Sequence, residues 1–245
     1  MGNLDYKQFS ERRRPHIQPP EGILFLTFRL AGSIAKSAVR EYKAKKEWLE
    51  GQLRRVTAMA EVERTPELEQ WLARIDRHNR EWFLKCEEIL HRAKSGPTWM
   101  QDERVADKVA ENLHRLDGKA YRLDAFSVMS NHVHTVFKPF GETNLREPFD
   151  DDQLSVLIDD HPGLAKIMHS LKGRSARECN LLLQRTGPFW EHESFDHVIR
   201  SGKFDKTIRY VLNNPVKVGL VRDWEDWRWN YCRKELVDRF KVPKK

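Results

Sequence analysis

Tyr121-Arg122-Leu123-Asp124-Ala125-Phe126-Ser127-Val128-Met129-Ser130-Asn131-His132-Val133-His134-Thr135-Val136-Phe137-Lys138 decides the fold. Two runs rich in β-branched and aromatic residues, 121–128 and 132–138, are separated by three residues. That gap is too short for a crossover, so the two form an antiparallel hairpin. Side chains alternate along a strand, so His132 and His134 share one face and Val133 enters a core on the other. Two imidazoles on a stiff backbone can hold one divalent metal. Alone, the pair reads more readily as two histidines on the polar face of a half-buried strand.

Outward from the hairpin, 23–30 is a strand whose near-continuous apolarity places it inside a sheet, stopping at Gly32. Residues 102–114 form an amphipathic helix with Val105, Val109 and Leu113 on one side. A second helix covers 164–183, a short strand lies within 189–200, and a last helix, 204–214, stops at Pro215. The order strand, helix, strand, strand, helix, strand, helix predicts an α+β domain: a ferredoxin-like or RRM-like antiparallel sheet with helices on one face. This domain spans 21–225. It follows a basic arm, 1–20, containing Arg12, Arg13 and Arg14, and precedes an aromatic and basic tail, 226–245. Trp224, Trp227, Trp229 and Tyr231 read as a packing strap over the core.

Residues 34–94 interrupt the pattern. Charges dominate, and apolar residues recur at helical spacing: Trp48, Leu49, Leu53, then Leu68, Trp71, Leu72, then Trp82, Phe83, Cys86. Two or three amphipathic helices forming a hairpin packed on the main domain are expected, with DNA binding through the basic face as the alternative. Residues 139–160 are acidic and irregular, as in a surface loop.

Net charge is +7, with 44 Lys and Arg against 37 acids in 245 residues. That balance favours a polyanionic partner, nucleic acid first. Cys86, Cys179 and Cys232 lie far apart with no Cys-x-x-Cys pair, which argues against a zinc ribbon and a disulfide framework. No apolar stretch suits a bilayer span. A cytoplasmic, nucleoid-associated protein is expected.

The second motif is Tyr210-Val211-Leu212-Asn213-Asn214-Pro215. Residues four apart on a helix share a face, so Tyr210 and Asn214 point together. With His132 and His134 they compose a nuclease site: the histidines and the Asn214 oxygen ligate Mg²⁺ or Mn²⁺, and Tyr210 attacks the phosphodiester. Asn213, three residues on from Tyr210, competes for the ligand role. Attack by a side chain conserves the bond energy as phosphotyrosine, so rejoining needs no ATP, and no phosphate-binding Gly-x-x-x-x-Gly-Lys loop is present. Attack by water, or hairpin binding without cleavage, are the alternatives.

Met129-Ser130-Asn131-His132-Val133-His134 followed by Tyr210-Val211-Leu212-Asn213-Asn214-Pro215-Val216-Lys217 resembles the single-tyrosine HUH transposases, and within them the REP-associated tyrosine transposases. Ser170-Leu171-Lys172, Phe189-Trp190-Glu191 and Phe195-Asp196-His197-Val198-Ile199-Arg200 are similar to the same branch. The resemblance covers about 21–33 and 95–225. It implies cleavage of single-stranded hairpin DNA through a 5′-phosphotyrosine, leaving a free 3′-OH, in DNA transposition or repeat mobilisation. It implies His132, His134 and Asn214 as metal ligands and Tyr210 as nucleophile. It also implies a monomer, with a dimer that exchanges tyrosine helices as the alternative. For DNA, Lys172, Arg174 and Arg177 are expected to meet phosphates, and Asn131 and Trp190 to lie near the site. His192 and His197 are further candidates for substrate or metal.

Overall fold

In the computed structural model, residues 22–59, 66–140 and 162–241 are described. Residues 1–21, 60–65, 141–161 and 242–245, which include the basic arm, most of the acidic segment and the end of the tail, lie outside these. The chain order is β1 (Leu24–Leu30), α1 (Lys36–Met59), α2 (Pro66–Arg92), a 3-10 turn at Trp99–Gln101, α3 (Glu103–Leu116), β2 (Tyr121–Val128), β3 (His132–Pro139), α4 (Pro162–Leu182), β4 (Trp190–Val198), α5 (Phe204–Leu212), α6 (Asn214–Lys217), β5 (Asn230–Cys232) and α7 (Lys234–Val237). The sheet runs β4-β1-β3-β2-β5, with every pair antiparallel. Its first four strands, with α3 and α4 as crossovers, make the expected ferredoxin-like arrangement.

On one face Leu24, Leu26, Phe28, Val133 and Phe137 pack beneath Val109 and Leu113 of α3 and Ile167 and Leu171 of α4. The helices are not confined to that face, which corrects the one-sided expectation. Phe25, Ala125 and Val136 on the other face are covered by Ile208, Val211 and Leu212 of α5 and by Phe83 of α2. The reason lies in β1, where all seven residues are buried. A central strand buried on both faces, here with Phe25, Thr27 and Arg29 on the second, needs cover on both.

β2 carries a bulge between Leu123 and Ala125. The extra residue, Asp124, is fully buried and meets Arg122 and Arg233 at 3.2 Å each. The bulge shifts the alternation by one, so Tyr121 and Leu123 before it and Phe126 and Val128 after it all reach the α3/α4 core.

The C-terminal aromatics strap the core. Trp224 donates to the Phe240 carbonyl, Trp227 to the Val128 carbonyl, and Trp229 to Asp107. Asn230–Cys232 also adds a fifth strand to β2. Three residues carry too short a pattern to read as a strand. Pro215 does not end the helical path either. It sits in the first turn of α6, where its missing N–H costs nothing.

The insertion is an antiparallel hairpin. Tyr42 of α1 stacks on His78 and Trp82 of α2 and donates to Asn79 at 2.8 Å, while Trp48 meets Trp71 farther out. At its base Trp82, Cys86 and Leu90 pack with Ile34 and Phe195 against the β4 side of the sheet. The chain leaves at Gly32 and returns at Gly96, both in the left-handed region with φ +82 and +83. A Cβ on Gly96 would stand 2.6 Å from the Gly32 carbonyl oxygen. No described helix is long and apolar enough to cross a membrane. Gly96→Ala, strained in φ and jammed against backbone, is expected to lower stability by about 1–3 kcal/mol in urea unfolding. Ala at Gly118, which has φ +74 but open space around it, should cost less.

Candidate active site

β3 places His132 and His134 on the α5 side of the sheet, both buried, as the alternation predicts. Each ring is held by its Nδ1. His132 Nδ1 lies 2.7 Å from Asn131 Oδ1, and His134 Nδ1 lies 2.7 Å from Thr27 Oγ1 on β1. The two Nε2 atoms are left facing each other at 3.1 Å. A metal-binding histidine characteristically engages its second nitrogen in this way, which fixes the ring and aims the first.

α5 is clamped to the sheet by Ile208, Val211 and Leu212. This brings the half-buried Tyr210 edge-on to His134, with ring centroids 5.5 Å apart. At the break between α5 and α6, Asn214 is buried and its Nδ2 donates to the Tyr210 carbonyl at 2.9 Å. Asn213 is exposed at the helix junction, so Asn214 is the amide turned inward.

Two further side chains of the cluster lie in the insertion, outside both sequence motifs. The last third of α2 carries Glu87 and His91, four apart on one face. Glu87 Oε2 accepts a hydrogen bond from the Tyr210 hydroxyl and lies 3.4 Å from His134 Nε2 and 3.7 Å from His91 Nε2. His91 Nε2 stands 2.6 Å from Asn214 Oδ1. The donor atoms of His91, His132 and His134 all fall within 4.8 Å of one another. The available signal was a carboxylate and an imidazole at i and i+4 beside the apolar run Phe83, Cys86, Leu90. Asn131 docks this helix end through its Nδ2, which donates to the Leu90 carbonyl at 3.0 Å.

Burial alone would push the Glu87 carboxyl up, but the imidazoles of His134, His132 and His91 around it bring it down to about 2. Burial, then the neighbouring His134, holds His132 well below the usual histidine range. His91 is lowered too, by burial against the opposing pull of Glu87. An anionic Glu87, with His132 and His91 both lowered, favours the deprotonated ligands that metal binding needs. Glu87 Oε1 is buried with no hydrogen-bond partner among the described residues, and such an orphaned carboxylate oxygen fits a cation.

The residues expected to meet DNA are placed differently. Trp190 is buried against Phe28 and Phe189, and its indole N–H is taken by Ser175 at 2.9 Å, so its ring is core and not a stacking surface. Asn131 is 1% exposed and occupied in positioning His132 and α2. Lys172 is tied to the carbonyls of Glu191 and His192, and burial lowers its amine to about 8. Arg174 pairs with Glu178 at 2.9 Å. Arg177 is exposed with no ion pair among the described residues. All three cations sit on α4, across the sheet from the histidines. His192 is exposed, and His197 packs on the Phe25 ring at 5.0 Å, outside the imidazole cluster.

A cleft of about 270 Å³ opens on His91 and His132 and is lined farther out by Met100, Met129, Trp227 and Trp229. No family model and no curated protein matches the chain. Among solved structures, a REP-associated tyrosine transposase bound to a REP hairpin is similar at 16% identity. The match covers 95% of this chain and 88% of that one, with a TM-score of 0.42. The likeness is distant, and what that protein binds is a property of that protein.

Burial holds His197 down to about 4. The unfolded chain takes up this proton near pH 6.5 and the folded one only near 4. Stability from this residue is therefore full above 6.5 and drains away as pH falls toward 4, by about 3 kcal/mol. Urea unfolding between pH 7 and 4 should show this slope reduced in His197→Gln, and an unchanged slope would contradict it.

Proposed function

We propose that this protein is a metal-dependent, single-stranded DNA endonuclease and strand transferase acting on hairpin, REP-like palindromic DNA, with Tyr210 as nucleophile. One observation carries the reading. Tyr210 and Asn214, on consecutive turns near the C-terminus, converge with His132 and His134 within a single chain. A solvated histidine pair or a core tyrosine would need no such meeting. No exchanged helix is needed to complete the cluster, which favours action as a monomer.

His132, His134 and Asn214 are the proposed ligands of Mg²⁺ or Mn²⁺. When bound, the ion supplies positive charge that polarises the scissile phosphodiester. The Glu87 carboxylate accepts a hydrogen bond from the Tyr210 hydroxyl and so fixes the direction of the phenolic oxygen. Attack forms the bond between the phenolic oxygen and phosphorus and breaks the bond from phosphorus to O3′. The 5′-phosphate stays on Tyr210, and the proton lost by the phenol is regained, through solvent, by the departing 3′-oxygen, which leaves as a hydroxyl. A second 3′-OH reverses the same exchange, joining strands without ATP. The cleft beside His132, with Trp227 and Trp229 in its wall, has the apolar and aromatic lining that an unpaired base requires. Of the α4 cations, Arg177 is the one proposed to meet phosphate.

The test is a labelled hairpin oligonucleotide with Mg²⁺ or Mn²⁺ on a denaturing gel. A covalent protein–DNA adduct is expected, and Tyr210→Phe should lose it, with cleavage falling on the order of a thousandfold or more. Full cleavage by Tyr210→Phe would mean that water attacks instead. Tight hairpin binding with no cleavage in any metal would leave a binding module only.

A further inference from the structure

We propose that the inserted helical hairpin completes the metal centre, with His91 as a third imidazole ligand and Glu87 as its carboxylate, so that the site prefers a transition metal or zinc over Mg²⁺. This rests on the metal dependence proposed above and changes both its ligand set and its ion.

The distances support it. Metal bonds of about 2.1 Å at right angles set neighbouring donors roughly 3 Å apart. Around this site the successive separations are 3.1 Å from His132 to His134, 3.4 Å from His134 to Glu87, 3.7 Å from Glu87 to His91, and 2.6 Å from His91 to Asn214. Three imidazoles thus lie within 4.8 Å of one another, and Glu87 Oε2 and Asn214 Oδ1 border that set through His134 and His91. Mg²⁺ demands oxygen ligands and keeps its waters, whereas imidazole suits Mn²⁺, Co²⁺ and Zn²⁺ increasingly well. Asn131 ties the α2 terminus to the β2–β3 turn, so His91 is anchored to the strand that carries the other two imidazoles. The orphaned Glu87 Oε1 is a buried acceptor that a cation would compensate.

The full-length protein, stripped with chelator and dialysed, is titrated with Co²⁺, Mn²⁺ and Mg²⁺ by calorimetry. The visible spectrum of the Co²⁺ form is recorded alongside. One ion per chain is expected, with Co²⁺ on the order of a hundredfold tighter than Mg²⁺. His91→Gln and the isosteric Glu87→Gln should each weaken Co²⁺ by about tenfold or more and change its spectrum, with far-ultraviolet dichroism unchanged. The metal-induced rise in Tm, read in wild type and in each variant, covers a variant of reduced stability.

Wild-type affinity in both variants, with loss in His132→Gln, would overturn the hairpin's part and leave the Tyr210 reading intact. Equal affinity for Mg²⁺ and Co²⁺ would overturn the selectivity. Loss of metal in His91→Gln alongside undiminished cleavage by Tyr210→Phe would uphold the metal centre and sink the nucleophile instead.

Discussion

The carboxylate of Glu87 is the junction on which the site depends. An uncompensated buried carboxylate costs several kcal/mol, so it survives in a core only where partners meet it. Here one oxygen is reached from three segments far apart in sequence: Tyr210 from α5, His134 from β3 and His91 from its own helix. Each contact restricts the others. α2 must end where it does for the carboxylate to lie under the sheet's histidines. α5 must cross the same face at the height where its tyrosine meets that oxygen.

The sheet makes this arrangement possible by being covered twice. α3 and α4 bury one face and provide most of the core, which leaves the other face to carry chemistry. α5 and α2 then close over that second face, so the imidazoles sit in a desolvated environment where charge interactions are strong. A cleft between the β2–β3 turn and the C-terminal strap opens toward His91 and His132.

Much of this was legible in the chain. The period of two in 121–138 gave the hairpin and the shared face of His132 and His134. The i, i+4 spacing gave the common orientation of Tyr210 and Asn214. What could not be read was tertiary. Trp190 and Asn131 have side chains equally suited to DNA or to the interior, and only packing shows that Ser175 and Leu90 claim them. Lys172 is a cation in composition and a strand clamp in place. Glu87 and His91 were hidden for a different reason. They belong to a helix whose composition is that of a solvated spacer, and nothing local reveals that its final turns pass beneath another element. The resemblance in the motifs also skips this segment, so it offered no pattern to match.

The neck at Gly32 and Gly96 has a mechanical consequence. Both strands of the hairpin pass through one narrow gate, and its two helices hold each other through their own pairs, Tyr42 with Trp82 and Trp48 with Trp71. Length near the tip is therefore cheap to gain or shed by whole turns, since loop closure grows only slowly with added chain. The base is not. Cutting the arm back to the gate would remove an imidazole and a carboxylate together, whereas shortening its outer turns would remove only contacts the two helices make with each other.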